Sequence, residues 1–206
     1  MMDDFSYEVL IVGSGAGGAM AAYELTRQGH KVLLLEAGRN YDPKTETPMF
    51  RPNSAAPLMG ASTPDKDFGF YDSTVDGGWQ VPGEPYTKAK GSDFLWWRAR
   101  MLGGRTNHWG RYSLRFSEHD FKGKSRDGLG ADWPFEYNDI APWYDKTEAL
   151  IGVCGTNTGL DDMPPSGEGI LQPPPTPRVP ELLIAAAAKK HGITAVPMHR
   201  AVLTKA

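Results

Sequence analysis

Residues 7–38 read YEVLIVGSGAGGAMAAYELTRQGHKVLLLEAG, and the order of features in this stretch decides the fold. The apolar runs at 7–12 and 31–35 are short and bounded by turn residues, as buried strands are. Between them, residues 19–28 favour a helix that ends at Gly29. Strand, glycine loop, helix and strand in this order predict a parallel βαβ unit, the building block of an α/β fold.

The loop between the first strand and the helix has the spacing GxGxxG, which is typical of dinucleotide-binding proteins. Gly13 allows the tight turn out of the strand, Gly15 lets backbone N–H groups approach a pyrophosphate, and Gly18 lets the helix pack closely on the sheet. The first N–H groups of the helix have no partner inside it, so they favour an anion. The predicted cofactor contacts of this loop are Gly13, Ser14, Gly15, Ala16, Gly17 and Gly18.

An acidic residue follows the second predicted strand at the distance that the fingerprint requires. Glu36 comes 23 residues after Gly13, and its neighbour Ala37 is included in the predicted site. A carboxylate at this position accepts hydrogen bonds from an adenosine ribose and repels a 2′-phosphate. The first motif alone does not distinguish FAD from NAD.

Composition narrows the class of protein. The chain has 206 residues, 40% hydrophobic and 23% charged, so it can bury a core. A net charge of −3 gives no electrostatic reason to expect a nucleic-acid partner. Cys154 is the one cysteine, so neither an internal disulfide nor a cysteine-based metal site is expected, and no metal ligand is predicted.

The sequence shows no recognisable targeting signal. No apolar run approaches the length of a membrane span, and the acidic N-terminus does not fit a signal peptide. Localisation therefore stays unassigned: the cytoplasm is the default, and the periplasm is open if a signal-bearing partner carries the folded chain.

Beyond the first unit, the chain alternates irregular and helical segments. Residues 41–90 lack periodicity, with a turn signal at 76–79, and residues 161–180 form a proline-rich connector. Residues 139–151 predict an amphipathic helix with Asp139 as its cap and Gly152 as its stop. Its predicted apolar face consists of Ile140, Trp143, Tyr144, Thr147, Leu150 and Ile151. The last predicted elements are a helix at 180–191 and strands at 193–198 and 201–204.

A second glycine loop at residues 102–110 reads LGGRTNHWG. Paired glycines let backbone approach a flat ring, Asn107 and His108 can hydrogen-bond a polar ring edge, and Trp109 can form an aromatic wall. The alternative interpretation is a tight turn with a buried tryptophan and a hydrogen-bonded histidine. The predicted cofactor contacts of this loop are Gly103, Gly104, Thr106, Asn107, His108, Trp109 and Gly110.

The two loops together resemble the glucose–methanol–choline family of flavoprotein oxidoreductases. The resemblance rests on GSGAGG at 13–18, LLLEAG at 33–38, LGGRTNHWG at 102–110 and the region 132–149. It is closest to the branch of pyranose oxidases and bacterial sugar dehydrogenase flavoprotein subunits. It implies FAD, with the adenosine half over the first loop and Glu36 and the isoalloxazine beside the second loop.

The resemblance also implies a reaction. Family members oxidise a CH–OH group of an alcohol or sugar: a base takes the hydroxyl proton while hydride moves to flavin N5. An electron-acceptor protein is a further implied partner. In the pyranose oxidase branch, a histidine in the place of His108 bonds covalently to the flavin. The family's histidine base lies near the end of a much longer chain, so no catalytic residue is predicted within residues 1–206, and the chain is expected to be an N-terminal part.

The predicted fold is α/β: an incomplete Rossmann-like FAD-binding domain with a parallel sheet, helices and long irregular loops. The predicted division is a partial FAD-binding domain at 1–160, the connector at 161–180, and a truncated helix and strand at 181–206. Two alternatives stay open, an NAD-dependent dehydrogenase and a non-catalytic dinucleotide-binding module. Because two strands are too few for a stable sheet, we expect marginal stability and an exposed apolar sheet edge.

Overall fold

The computed structural model describes residues 6–40, 42, 87–94, 100–107 and 109–205. Its contacts divide the chain into two compact units, Met1–Trp109 and Gly110–Ala206. The division predicted at residues 160 and 180 stays a prediction. The predicted turn at 76–79 and nearly all of the 41–90 segment lie outside the described residues.

The first unit contains the predicted βαβ arrangement. Strand β1 (Val9–Val12) pairs in parallel with β2 (Val32–Leu35), and helix α1 (Ala16–Arg27) connects them. This arrangement confirms the Rossmann-like prediction. The helix begins three residues earlier than predicted, inside the glycine loop, because Gly15 has the extended conformation of an N-cap and the following residues are already helical.

Strand β1 is covered more on one face than on the other. Ile11 faces α1, since a Cβ on Gly18 would lie 3.2 Å from its Cγ2. Successive strand residues point to opposite faces, and Val12 is 80% exposed. The prediction that both strands are buried is therefore wrong for the described part of the chain, in which every residue of β1 and β2 is half-buried or exposed.

The second unit is built around the predicted amphipathic helix. Short helices α2 (Glu118–Phe121) and α3 (Gly123–Asp127) precede α4 (Tyr137–Ile151). Glu136 is the N-cap rather than Asp139, whose carboxylate instead accepts a hydrogen bond from the Glu136 N–H at 2.8 Å. Gly152 ends the helix in the left-handed conformation, as predicted.

The face that α4 covers matches the predicted apolar face only in part. The buried residue of the helix is Glu148, and Trp143 is 57% exposed. Of the rest of the predicted face, three residues are half-buried and two are exposed: Ile140, Tyr144 and Thr147, and Leu150 and Ile151. The reason for the burial of Glu148 is electrostatic, because Arg115 is also buried and its guanidinium draws the Glu148 carboxylate inward. Apolar spacing could not show that a charged residue would be the buried one.

The remaining elements form a small antiparallel pair and a helix. Strand β3 (Val153–Cys154) pairs with β4 (Arg200–Ala201), and α5 (Val179–Lys190) lies between them in sequence. The strand predicted at 193–198 is wrong, since Pro197 lacks a backbone N–H to donate to a ladder. The run at 201–204 contributes only Ala201 to a strand, and that strand does not extend the parallel sheet. The core of this unit contains Phe121, Val153, Cys154 and Ala201.

Candidate functional site

The first glycine loop forms an open backbone cradle at the end of β1. Gly13 has a φ of +89°, which a residue with a side chain rarely adopts. A Cβ added at Gly13, Gly15 or Gly17 would meet nothing within 4 Å. A Cβ at Gly18 would lie 1.9 Å from the Gly13 carbonyl oxygen, so Gly18 permits close helix packing, which is the role predicted for it.

The N-terminus of α1 opens into this cradle. Gly15 is the N-cap and offers no side chain to the first helical N–H groups. The Ala19 N–H makes the first bond of the helix, to the Gly15 carbonyl at 2.8 Å. The preceding N–H groups have no intrahelical acceptor, and Ala16 is the first residue of the helix, so this end suits a phosphate group.

Glu36 is held in place by donors from the loop and from its own turn. Its Oε2 accepts hydrogen bonds from the Ser14 N–H at 2.9 Å and the Ser14 hydroxyl at 2.6 Å. Its Oε1 accepts one from the Gly38 N–H at 2.7 Å. A carboxylate has about four acceptor positions, so at most one remains for a ligand hydroxyl. Ala37 is exposed beside it.

These bonds keep Glu36 ionised. Burial alone would raise the pKa of the Glu36 carboxyl, but the hydrogen bonds from Ser14 and from backbone N–H groups outweigh burial and lower the pKa. The site therefore presents a fixed negative charge near neutral pH.

The second glycine loop runs beside the end of β2. Arg39 and Met101 form a parallel bridge, and the Leu102 N–H donates to the Arg39 carbonyl at 2.9 Å. Gly38 makes this approach possible, because a Cβ there would lie 2.2 Å from the backbone carbon of Arg100. Backbone contacts thus fix where this loop begins.

The two glycine loops meet. The Gly103 N–H donates to the Ser14 hydroxyl at 2.8 Å across 89 residues of sequence. A Cβ on Gly104 would lie 3.3 Å from the Cα of Gly15. Both Gly103 and Gly104 have positive φ angles, +87° and +53°, so glycine suits these positions. The structure therefore brings together the two motifs that the sequence singled out.

The second loop is closed by its own side chains. The Thr106 hydroxyl donates to the Gly103 carbonyl. The Asn107 amide N–H₂ donates to the Leu102 carbonyl at 2.7 Å and to the Gly104 carbonyl at 3.3 Å. These bonds use both amide donors, so the Asn107 side chain can offer a ligand only its carbonyl oxygen.

The other predicted contacts of the second loop are less informative. His108 lies outside the described residues, and Trp109 is half-buried in the first unit. Gly110 belongs to the second unit, where a Cβ would lie 3.2 Å from the Tyr112 ring.

Sequence reasoning missed the roles of Ser14 and Gly38 in connecting these segments. Ser14 was included as a member of the loop, and its link to Gly103 was not foreseen. The available signal was a small hydroxyl residue between two glycines, followed by an acidic residue at the end of the next strand. Gly38 carried a weaker signal, as the last residue of LLLEAG.

A second polar cluster that the sequence did not reveal lies inside the second unit. The buried Arg115 guanidinium donates to both Glu148 carboxylate oxygens, at 2.9 and 2.5 Å, and to Asp145 at 2.5 Å. It also bonds the Tyr137 hydroxyl at 3.0 Å. Burial opposes the charge of Arg115, but the carboxylates outweigh this and raise its pKa. Since these partners satisfy one another, the cluster is structural.

The described part of the chain has two further properties. Within it, no group of three or more histidine, cysteine or acidic residues is arranged to hold a metal ion. None of its helices is long and apolar enough to cross a membrane.

Comparison with known proteins gives one family match and several relatives. The NAD(P)-binding Rossmann-like domain family matches residues 11–41. Paromamine 6'-oxidase of Streptomyces fradiae is 31% identical over 160 residues, which are 76% of this chain and 25% of that protein. The fructose dehydrogenase large subunit of Gluconobacter japonicus is 31% identical over 75% of this chain and 29% of that protein.

One solved structure is similar as well. Pyridoxine 4-oxidase from Mesorbium loti has 24% sequence identity and a TM-score of 0.40, over 67% of this chain and 24% of that one. The chain spans less than a third of the length of these relatives. The sequence relatives confirm the predicted resemblance: over its N-terminal, dinucleotide-binding region, this chain is a homologue of the glucose–methanol–choline type of oxidoreductases.

Proposed function

We propose that this chain is the cofactor-binding part of an FAD-dependent oxidoreductase that oxidises a CH–OH group of a sugar or another alcohol. The observation that carries the proposal is the 2.8 Å hydrogen bond between Gly103 and Ser14, which places the second glycine loop beside the first. The glycine turn of the first loop is common to FAD and NAD sites. The second loop offers a further backbone surface, which the large isoalloxazine ring of FAD could use.

The first loop fits the adenosine diphosphate half of FAD. The open backbone at Gly13, Gly15 and Gly17 leaves the space that a pyrophosphate needs, and the N-terminus of α1 supplies unpaired N–H groups. The ionised Glu36 carboxylate retains at most one acceptor position, which suits a ribose hydroxyl. We therefore assign Gly13, Ser14, Gly15, Ala16, Gly17, Gly18, Glu36 and Ala37 to this half.

The second loop is the proposed surface for the isoalloxazine ring. Gly103 and Gly104 expose backbone without side chains, and the Asn107 carbonyl oxygen can accept a hydrogen bond from a ring N–H. Thr106 holds the loop closed through its bond to Gly103. His108, Trp109 and Gly110 complete the proposed surface on the strength of the sequence alone.

The division of labour follows from the residues present. Bound flavin supplies the hydride acceptor, and this chain binds and orients it. The relatives include a paromamine oxidase, a fructose dehydrogenase and a 2-methyl-1,2-propanediol dehydrogenase, and these names support a hydroxylated small molecule as substrate. One relative is named as a large subunit, which supports a protein partner that accepts electrons.

The proposal is tested by titrating the purified chain with FAD and, separately, with NAD. We expect saturable FAD binding, with the flavin absorbance band at about 450 nm retained by the protein after gel filtration, and no comparable affinity for NAD. Gly15→Ala is the informative variant, because its Cβ meets nothing in the free protein and would occupy the cradle. We expect FAD affinity to fall by about tenfold or more, the effect of blocking close backbone approach.

Gly123→Ala is the matched control, since its Cβ also meets nothing within 4 Å and it lies in the second unit. It should bind FAD as the original chain does. Tight NAD binding without FAD binding would contradict the proposal, as would a Gly15→Ala variant with unchanged FAD affinity.

Covalent attachment of the flavin at His108 is a finer proposal, supported by the resemblance to the pyranose oxidase branch. Acid precipitation of the FAD-loaded protein tests it. Yellow colour in the pellet, lost in His108→Ala, is the expected result. Colour entirely in the supernatant would show that the flavin is held without a bond.

A further inference from the structure

The hydroxyl of Ser14 joins the two halves of the proposed site. Ser14 is 4% exposed, although it lies in an otherwise open loop. Its hydroxyl is 2.6 Å from Glu36 Oε2 and 2.8 Å from the Gly103 nitrogen. A buried polar group with partners on two distant segments is a candidate for coupling those segments.

The chemistry of the groups fixes which partner donates in each of these hydrogen bonds. An ionised carboxylate only accepts, so the Ser14 hydroxyl hydrogen points to Glu36. The hydroxyl lone pair is then free for the Gly103 N–H, which only donates. A serine that donates to a charged acceptor becomes a better acceptor itself, so the two bonds strengthen each other.

Ser14 also limits where the second loop can lie. Gly103 has a φ of +87°, a conformation available to few residues, and its N–H is aimed at Ser14. On the other side, Gly38 donates to the same Glu36 carboxylate at 2.7 Å. The start of the second loop, the first loop and the end of β2 thus share one hydrogen-bonded chain.

We propose that Ser14 is a positioning residue, whose hydroxyl couples the carboxylate proposed to hold the adenosine ribose to the loop proposed to hold the flavin ring. This inference rests on the proposed function. A ligand hydroxyl that bonds Glu36 limits the motion of its carboxylate. The carboxylate then holds the Ser14 hydroxyl more firmly, and this hydroxyl in turn holds Gly103, so residues 101–107 become more ordered. ADP, which has no flavin ring, therefore stabilises the second loop without touching it.

Amide hydrogen exchange in the full chain, with ADP as the probe, tests the coupling. In the original chain, saturating ADP should slow exchange in a peptide covering residues 101–107. Without ligand, Ser14→Ala should exchange about tenfold faster in that peptide, the factor expected from one lost hydrogen bond. Saturating ADP should no longer protect it.

Two variants control for general damage. Ser14→Thr keeps the hydroxyl and should restore both the slow exchange and the protection by ADP. Thr26→Val removes an exposed hydroxyl of α1 that bonds only within its own helix at 2.7 Å from the Ala22 carbonyl, and it should behave as the original chain does.

The outcomes separate the two proposals. If FAD binds and exchange at 101–107 is the same in Ser14→Ala and in the original chain, the coupling is wrong and the proposed function stands. Absence of ADP protection at 101–107 in the original, ADP-saturated chain overturns the coupling even if Ser14→Ala does not fold. If ADP protects residues 101–107 through Ser14 but FAD does not bind, the coupling stands and the flavin proposal fails.

Discussion

The two units hold charged side chains in opposite ways. In the second unit, the Arg115 guanidinium and the Glu148 carboxylate satisfy each other away from water, and the partly exposed Asp145 is a further partner of Arg115. In the first unit, Glu36 is held by Ser14 and by Gly38 and keeps acceptor capacity, beside a backbone cradle that no side chain fills. We infer from this comparison that the closed polar cluster serves stability, whereas the open one leaves room for the proposed ligand.

Breaking the closed cluster should have the largest effect on stability. Arg115→Ala leaves the Glu148 carboxyl without its partner at 3% exposure, so we expect the free energy of unfolding to fall by about 3–5 kcal/mol. Urea denaturation followed by circular dichroism measures the loss. Arg126→Ala, which removes an exposed pair with Asp127, should change the midpoint little. Equal effects of the two substitutions would show that the Arg115 cluster is not structural.

Adding a side chain at Gly18, where α1 packs tightly against the first glycine loop, should have the next largest effect on stability. In Gly18→Ala the new Cβ overlaps the Gly13 carbonyl, and α1 must move away from β1 at a cost of about 1–3 kcal/mol. Gly17→Ala adds a methyl group in open space and should be neutral or slightly stabilising in the ligand-free chain. Urea midpoints of the pair test the contrast, which fails if Gly18→Ala is as stable as Gly17→Ala.

Removing the charge of Glu36 should lower the free energy of unfolding by about the cost of one mismatched hydrogen bond. Both Glu36 oxygens accept from backbone N–H groups, so either orientation of Glu36→Gln sets an N–H₂ against an N–H. We expect a loss of about 1–3 kcal/mol in the same denaturation experiment. Glu24→Gln, on the exposed side of α1, is the matched charge change and should be silent.

The smallest effect is the dependence of stability on acid. The pKa of Glu36 is lower in the folded chain than its ordinary value, because hydrogen bonds from Ser14 and the backbone outweigh burial. Its stabilisation is therefore complete above the unfolded pKa and is lost as pH falls through the folded pKa. The urea midpoint should drop more steeply below about pH 4.5 in the original chain than in Glu36→Gln. Parallel curves would contradict this assignment.

Sequence patterns were most informative for features that depend on residues close together in the sequence. The βαβ order, the packing role of Gly18 and the helix end at Gly152 all follow from neighbouring residues and agree with the structure. The resemblance carried by the two glycine loops is confirmed by relatives that match this part of the chain. Where the backbone conformation or a close approach permits only glycine, the sequence itself reveals the constraint.

The features that the sequence did not predict depend on contacts between residues far apart in the sequence. Apolar spacing gave only part of the covered face of α4, because Arg115, 33 residues before Glu148 in the sequence, bonds the buried Glu148 carboxylate. The strand predicted at 193–198, with Pro197 expected to keep it at the edge or end of a sheet, does not form. The bond from Gly103 to Ser14 spans 89 residues and depends on backbone direction, which no side-chain pattern records.

The most direct measurement is a crystal structure of the chain with bound FAD. The account predicts the pyrophosphate at the N-terminus of α1 and the isoalloxazine ring in contact with the backbone of residues 103–107, with the Ser14 to Gly103 hydrogen bond intact. A ring that lies away from residues 103–107, with only the adenosine half ordered on the first loop, would contradict it.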